Sequence, residues 1–272
     1  MQVLVACDKF KGTLTAQQVC EVIKEVLVAH NLPDVVACPL ADGGDGTAAI
    51  LTFHARGAML TVDVSDPFFR PVAASYGLAH DGKTAFIEMA DASGLKIIKE
   101  SERNVMKAST WGTGEMIRHA LDVGVDHVVI GIGGSATNDG GMGMAAALGF
   151  EFQDHTGNRL EPVGENLEHV RRIVDTNLHP RLRRVKFTAL CDVDSMFFGE
   201  QGAATVYAPQ KRRQPAAGAH SRRWPFQFQQ TNSEIFWYRR EPHTGCRCRR
   251  RYGRRGHGVS WCRVAPGRRC SI

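Results

Sequence analysis

No apolar run in the sequence approaches the roughly 18 residues that a membrane-crossing helix requires. The opening MQVLVACDKFKGTL has no basic stretch ahead of its short apolar run, so it reads as a first buried strand and not as a secretory signal. The cysteines of the first 211 residues (Cys7, Cys20, Cys38, Cys191) lack metal-ligand or disulfide spacing and read as free, buried cytoplasmic thiols. There is no internal repeat, no Walker A sequence and no clean dinucleotide fingerprint. These absences exclude a helical membrane protein, a disulfide scaffold and a P-loop enzyme.

What is present divides in two. The chain of 272 residues is long enough for one large domain or two ordinary ones. Its formal charge of +6 averages two unlike pieces. From Arg212 to Ile272 fifteen arginines, no lysine and two acids (Glu234, Glu241) make +13, with three of the four tryptophans and four of the eight cysteines. Residues 1–211 hold 19 bases against 26 acids, or −7. The basic character belongs wholly to the tail.

Along residues 1–211, strand and helix patterns alternate. VLVACD (3–8) is followed by TAQQVCEVIKEVLVAH, where Thr15 caps a helix with Val19, Ile23, Val26 and Leu27 on one face. Strands are expected at LTVDVSD, TAFIEMA, HVVIGIGG and KFTALCDVD, with helices at AAILTFHARG, EMIRHALDVG and GGMGMAAALGF. The alternation predicts an α/β fold with mostly parallel sheets. The segment VDVSDPFFRPVAASYGLAHDGKTAFIEM reads as antiparallel and suggests a second subdomain. After Lys211 every period stops.

Glycine-rich turns fall where these strands end. In VVIGIGGSATNDGGMGMAAALG a buried strand runs through Gly133 and Gly134 toward a helix. Glycines let backbone N–H groups approach an anion, and a helix N-terminus adds positive potential. Ser135, Thr137 and Asn138 offer side-chain donors, and Asp139 is suited to a Mg²⁺ that accompanies a phosphate. Asp42 and Asp45 of PLADGGDGT can bind a divalent ion, or one of them can act as a base. Lys9 and Lys11 follow the first strand, Asp192 and Asp194 end another, and STWGTGEM supplies a further glycine turn. Each alone is equally a tight turn or a solvated loop. Together, at the carboxyl ends of strands, they match phosphoryl transfer, which asks mainly for positioning, Mg²⁺ and cations.

At these residues the chain resembles the class I glycerate kinase family. The resemblance runs in order through CDKFKGTL, PLADGGDGT, DGKTAFIEMADASGL, WGTGE, IGIGGSATNDGGMGM, CDVD and APQK, across residues 1–211. Departures are Lys9 where the family favours Ser, Asp45 where it favours Glu, and Ser195-Met196-Phe197 where it favours Asn-Pro-Leu. The resemblance implies ATP-dependent, Mg²⁺-assisted phosphorylation of D-glycerate, usually to the 2-phosphate. It implies two α/β subdomains, one flavodoxin-like with a parallel sheet and one with a mixed sheet, and an active site in the cleft between them. Lys9 and Lys11 would face the glycerate carboxylate or the moving phosphate. Gly133, Gly134, Ser135, Thr137 and Asn138 would form the nucleotide loop, with Asp45 and Asp139 toward the metal. Asp42 and Asp192 are candidates for base or metal ligand, with the choice between them open.

The family continues past this point with a motif close to P-G-A-G-A-A-G-G-M-G-A-A, which the tail does not contain as amino acids. Back-translation does contain it. The degenerate codons of Thr244 through Gly256, read from the second base, permit Pro-Gly-Ala-Gly-Ala-Ala-Gly-Gly-Met-Gly-Ala-Ala. In the same frame Arg212-Arg213-Gln214 permits Gly-Ala-Ser, and Trp224 through Phe228 permits Gly-Leu-Ser-Asn-Phe. Residues 212–272 therefore read as an out-of-frame, disordered tail after one extra nucleotide near the Lys211 codon. The fold is then incomplete at its C-terminus, and the chain as it stands is expected to be inactive. The rival reading is an RNA-binding protein using its arginines. A zinc knuckle fails because Cys246, Cys248, Cys262 and Cys270 lack paired spacing.

Overall fold

The computed structural model describes residues 2–10, 12–41, 44–191 and 260–261. β1 (Val3–Val5) leads into α1 (Ala16–Ala29). Thr15 caps this helix as the sequence predicts, its hydroxyl accepting from Gln18 N while Gln18 Oε1 accepts from Thr15 N. β2 (Val35–Ala37) lies parallel to β1, Val3 opposite Val35. Val5, Cys20 and Val35 are buried between helix and strands, with Ile23 and Leu27 against them. The expected apolar face needs one correction: Val26 is 53% exposed and Cys20 is 1% exposed. At 3.6 residues per turn, the stripe through Cys20 returns at Ile23 and Leu27, leaving Val26 beyond Val19 on the side of exposed Val22. Leu4, Phe10 and Val36 are also exposed, so the described residues leave apolar surface open on this unit.

α2 (Thr47–His54) precedes a meander of β3 (Ala58–Ser65), β4 (Pro71–Leu78) and β5 (Thr84–Glu88), each antiparallel to the last as expected. The short α3 (Met89–Ser93) follows directly. α4 (Trp111–Val123) then crosses to β6 (His127–Gly131), parallel to β5 with Ile87 opposite Ile130. α5 (Met142–Ala147) leads to a small antiparallel pair, β7 (Glu151–Gln153) and β8 (Arg172–Val174). β9 (Lys186–Cys191) joins β6 in parallel, and β10 (Ser260–Trp261) adds an antiparallel edge. The central sheet order is therefore β10-β9-β6-β5-β4-β3, a mixed α/β architecture.

Helices cover both faces of this sheet, and β4 shows how. Tyr76 points to α4, where its hydroxyl meets His119 Nδ1 at 2.8 Å, and burial pushes its pKa up to about 12. Its neighbour Gly77 faces α2 so closely that a Cβ would lie 1.6 Å from Thr52 Oγ1. Successive strand residues serve opposite layers. Between sheet and α4 lies the largest apolar cluster, including Ile87, Met116, Ile117, Leu121, Val128 and Ile130. Among the described residues no helix is long and apolar enough to cross a membrane. Leu121 is fully buried, so Leu121→Ala should lower unfolding free energy by about 2–5 kcal/mol. The measurement is a denaturant midpoint shift at unchanged slope; a loss below about 1 kcal/mol contradicts the packing described here.

Candidate active site

Two parallel neighbours, β5 and β6, end side by side at Glu88 and Gly131, and their following loops remain paired. Gly94 bridges Ser135, Leu95 N donates to Gly134 O at 2.9 Å, and Ala136 N donates to Ser93 O at 2.8 Å. The glycine loop is thus laced along one side to the segment after α3. Within it, the Ser135 and Thr137 hydroxyls bond each other at 2.8 Å, and Thr137 N donates to Ser135 Oγ. Both side chains are buried and brace the loop, while Gly134 is exposed with φ 69°. Asn138 Nδ2 is buried and has no acceptor among the described residues.

Two further loops arrive from the N-terminal unit. Leu40 N donates to Cys7 O at 2.8 Å, tying the loop after β2 to the one after β1. Lys9 Nζ then reaches 2.6 Å from the carbonyl oxygen of Asp45, just ahead of α2. The Asp45 carboxylate faces the glycine loop: its Oδ1 lies 3.1 Å from where a Cβ on Gly134 would stand. Three segments distant in sequence, at 9, 45 and 134, therefore meet at one place. Lys11, Asp42 and Asp192 lie outside the described residues.

The end of β5 and the segment after it add charges that the sequence alone did not single out. Glu88 is 6% exposed and accepts from Gly46 N (3.1 Å) and Ala48 N (2.8 Å). Burial raises its pKa, against those two bonds that lower it. Lys96 pairs with Asp91. Burial pulls the Lys96 ammonium down, but Asp91, with Glu88 and Asp45 nearby, outweighs that and holds its pKa above the ordinary lysine value. The available signal was position: IEMAD ends an apolar strand with acids, as CDK and CDVD do.

Asp139, the other residue expected toward the metal, is held by hydrogen bonds inside the fold. It is 1% exposed, and Oδ2 accepts from Thr110 N, Thr110 Oγ1 and Gly143 N at 2.8–2.9 Å. Oδ1 accepts from Gly141 N, and Thr110 Oγ1 in turn accepts from Met144 N. A carboxylate so engaged joins the starts of α4 and α5 to the glycine loop, with three of its four donors on Oδ2. Its burial raises its pKa while the four donors oppose that. The glycines of WGTGE, expected in a turn, lie inside α4 and permit the same close approach. A Cβ on Gly114 would stand 2.5 Å from Met144 O, and one on Gly143 2.5 Å from Trp111 N. Among the described residues no group of three or more His, Cys, Asp or Glu is arranged to hold a metal ion.

A family model described as the glycerate kinase family matches residues 3–230. The chain belongs to the glycerate kinase family. It is 42% identical over 212 residues to the glycerate kinase of Bacillus cereus, covering 78% of this chain and 56% of that protein. It is 40% identical over 213 residues to the glycerate 2-kinase of Escherichia coli, covering 78% and 56%. The crystal structure of a Salmonella typhimurium LT2 protein provisionally named glycerate kinase 2 superposes with a TM-score of 0.79 at 39% identity, covering 85% of this chain and 62% of that one. The chain thus spans a little over half the length of the curated glycerate kinases it matches. The family match also runs past Lys211 to residue 230, so it does not itself mark the compositional boundary.

If Asp139 is a loop pin, Asp139→Ala strips the acceptor from two buried N–H groups, the half-buried Gly141 N–H and a hydroxyl. The expected cost is about 3 kcal/mol of unfolding free energy, the same with and without Mg²⁺. A near-neutral result, or one seen only with Mg²⁺, would restore the metal-ligand assignment.

Proposed function

We propose that the converged loops are the site of an ATP-dependent, Mg²⁺-assisted phosphorylation of D-glycerate, with 2-phosphoglycerate as the product. The observation that carries this reading is the meeting of Lys9, Asp45 and the glycine loop, which follow strands of two separate sheets. Phosphoryl transfer needs little covalent chemistry from a protein; it needs reactants held in line and charge neutralised. Gly133 and Gly134 leave backbone open to the phosphates of the nucleotide, and Asn138 Nδ2 has a hydrogen bond still to give. Lys9, with Lys11 two residues on, supplies positive charge for the glycerate carboxylate or the transferred phosphoryl group. The Asp45 carboxylate fits Mg²⁺, which is commonly held by one or two carboxylates plus substrate phosphates. When bound, that ion neutralises charge on the transferring phosphoryl group. Asp42 and Asp192 remain the candidates for the base or for a second metal ligand. The two-subdomain arrangement with a cleft, and a cytoplasmic location, belong to the same proposal.

Residues 212–272 enter it as an out-of-frame tail. The abrupt switch to lysine-free, arginine-rich sequence and the three family-like stretches in the shifted frame support that reading. One experiment tests both parts: ADP release coupled to D-glycerate, measured for the chain as it stands and for a gene with one nucleotide removed near the Lys211 codon. We expect glycerate-dependent turnover from the repaired gene and none above background from the chain as it stands. No turnover from the repaired gene sinks the kinase reading. Equal turnover from both, or an intact frame on resequencing with the matching intact mass, sinks the frameshift.

A further inference from the structure

Helix α2 begins without a cap of its own. Its N-cap residue is Gly46, at φ 91°, which has no side chain to accept the free N–H groups of the first turn. The missing acceptor comes from 42 residues away: Glu88, the last residue of β5, places one oxygen on Gly46 N and the other on Ala48 N. Those two bonds, with the Lys96 ammonium nearby, offset the cost of its burial. It is 6% exposed at the carboxyl end of a strand, where a charged side chain costs desolvation unless its hydrogen bonds are satisfied. Beside Gly46 stands Asp45, whose carbonyl receives Lys9 Nζ and whose carboxylate faces Gly134. Glu88 is therefore the link between the strand that aligns the glycine loop and the turn that carries Asp45.

We propose that Glu88 is a positioning residue of the kinase site: its bidentate hold on Gly46 and Ala48 fixes the Asp45 turn against Gly134. The proposal rests on the functional reading above for its purpose, but its geometry is tested without turnover. A carboxylate bridging two backbone N–H groups acts as an N-cap supplied in trans across the fold. Its removal frees the start of α2 and lets Asp45 drift from the loop it faces. A cap with only local effect would loosen α2 and stop there. A positioning residue changes the environment of Gly134, which Glu88 does not bond.

The test is amide hydrogen exchange and amide chemical shift in the isotope-labelled full chain, comparing wild type with Glu88→Ala and Glu88→Gln. For Glu88→Ala we expect exchange at Gly46 and Ala48 to rise about fivefold to tenfold, with the Gly134 amide shifted and the melting temperature lowered by about 2–4 °C. Glu88→Gln keeps one acceptor oxygen, so exchange should rise at only one of the two amides, with a smaller shift at Gly134. It also serves as the decisive variant should the alanine form not fold. Unchanged exchange at both amides in Glu88→Gln overturns the proposal. So does faster exchange with Gly134 unmoved, which would make Glu88 a local cap. A failed kinase assay would remove the site's function without altering these readings.

Discussion

One buried carboxylate determines how the glycine loop can behave. Asp139 collects donors from Thr110, Gly141 and Gly143 and so fastens the beginnings of α4 and α5 to the far end of the loop. The near end is fastened differently, by backbone pairing to residues 93–95. Clamped at both ends, the loop is also braced from within by the Ser135–Thr137 contact. Gly134 is the loop residue that faces Asp45. An anion approaching there meets backbone that is already ordered, and preorganisation of that kind is what phosphoryl transfer asks of a protein.

The same clamp explains the close packing behind it. Thr110 can reach both Asp139 and Met144 N because α4 and α5 nearly touch, and they nearly touch because Gly114 and Gly143 have no side chains. Site and core are therefore not separable here: the packing of two helices holds the loop, and the loop's aspartate holds the helices. The sheet supplies the remaining alignment, since β5 and β6 run in parallel register and deliver Glu88 and Gly131 together.

Much of this was legible in the amino acids. Thr15 marked the start of α1, and residues 62–89 read as the antiparallel meander that the structure shows. The glycine loops stood out because glycine next to acids at a strand end has few other uses. What failed was finer. Val26 belonged to the helical period yet lies at the edge of what the two short strands can cover. Nor could spacing show that Asp139, read as a residue toward the metal, accepts from Thr110, Gly141 and Gly143. The glycines of WGTGE signalled a turn because close helix contact and a sharp bend both demand a missing Cβ. Such choices depend on what lies opposite in space, which spacing along one chain does not encode. The tail posed the opposite problem. Its composition argued for nucleic acid, while the family model matches as far as residue 230 and the proposed shifted frame offers family-like stretches beyond it.

The central claim is that loops from three distant parts of the chain form one site. Chemical-shift mapping of amides during titration with Mg²⁺-ATP and D-glycerate tests it most directly. The account predicts that the amides of Lys9, Asp45 and Gly134 shift together, with one apparent binding constant for each ligand. Shifts confined to a single loop, or appearing in the three at unrelated ligand concentrations, would contradict it.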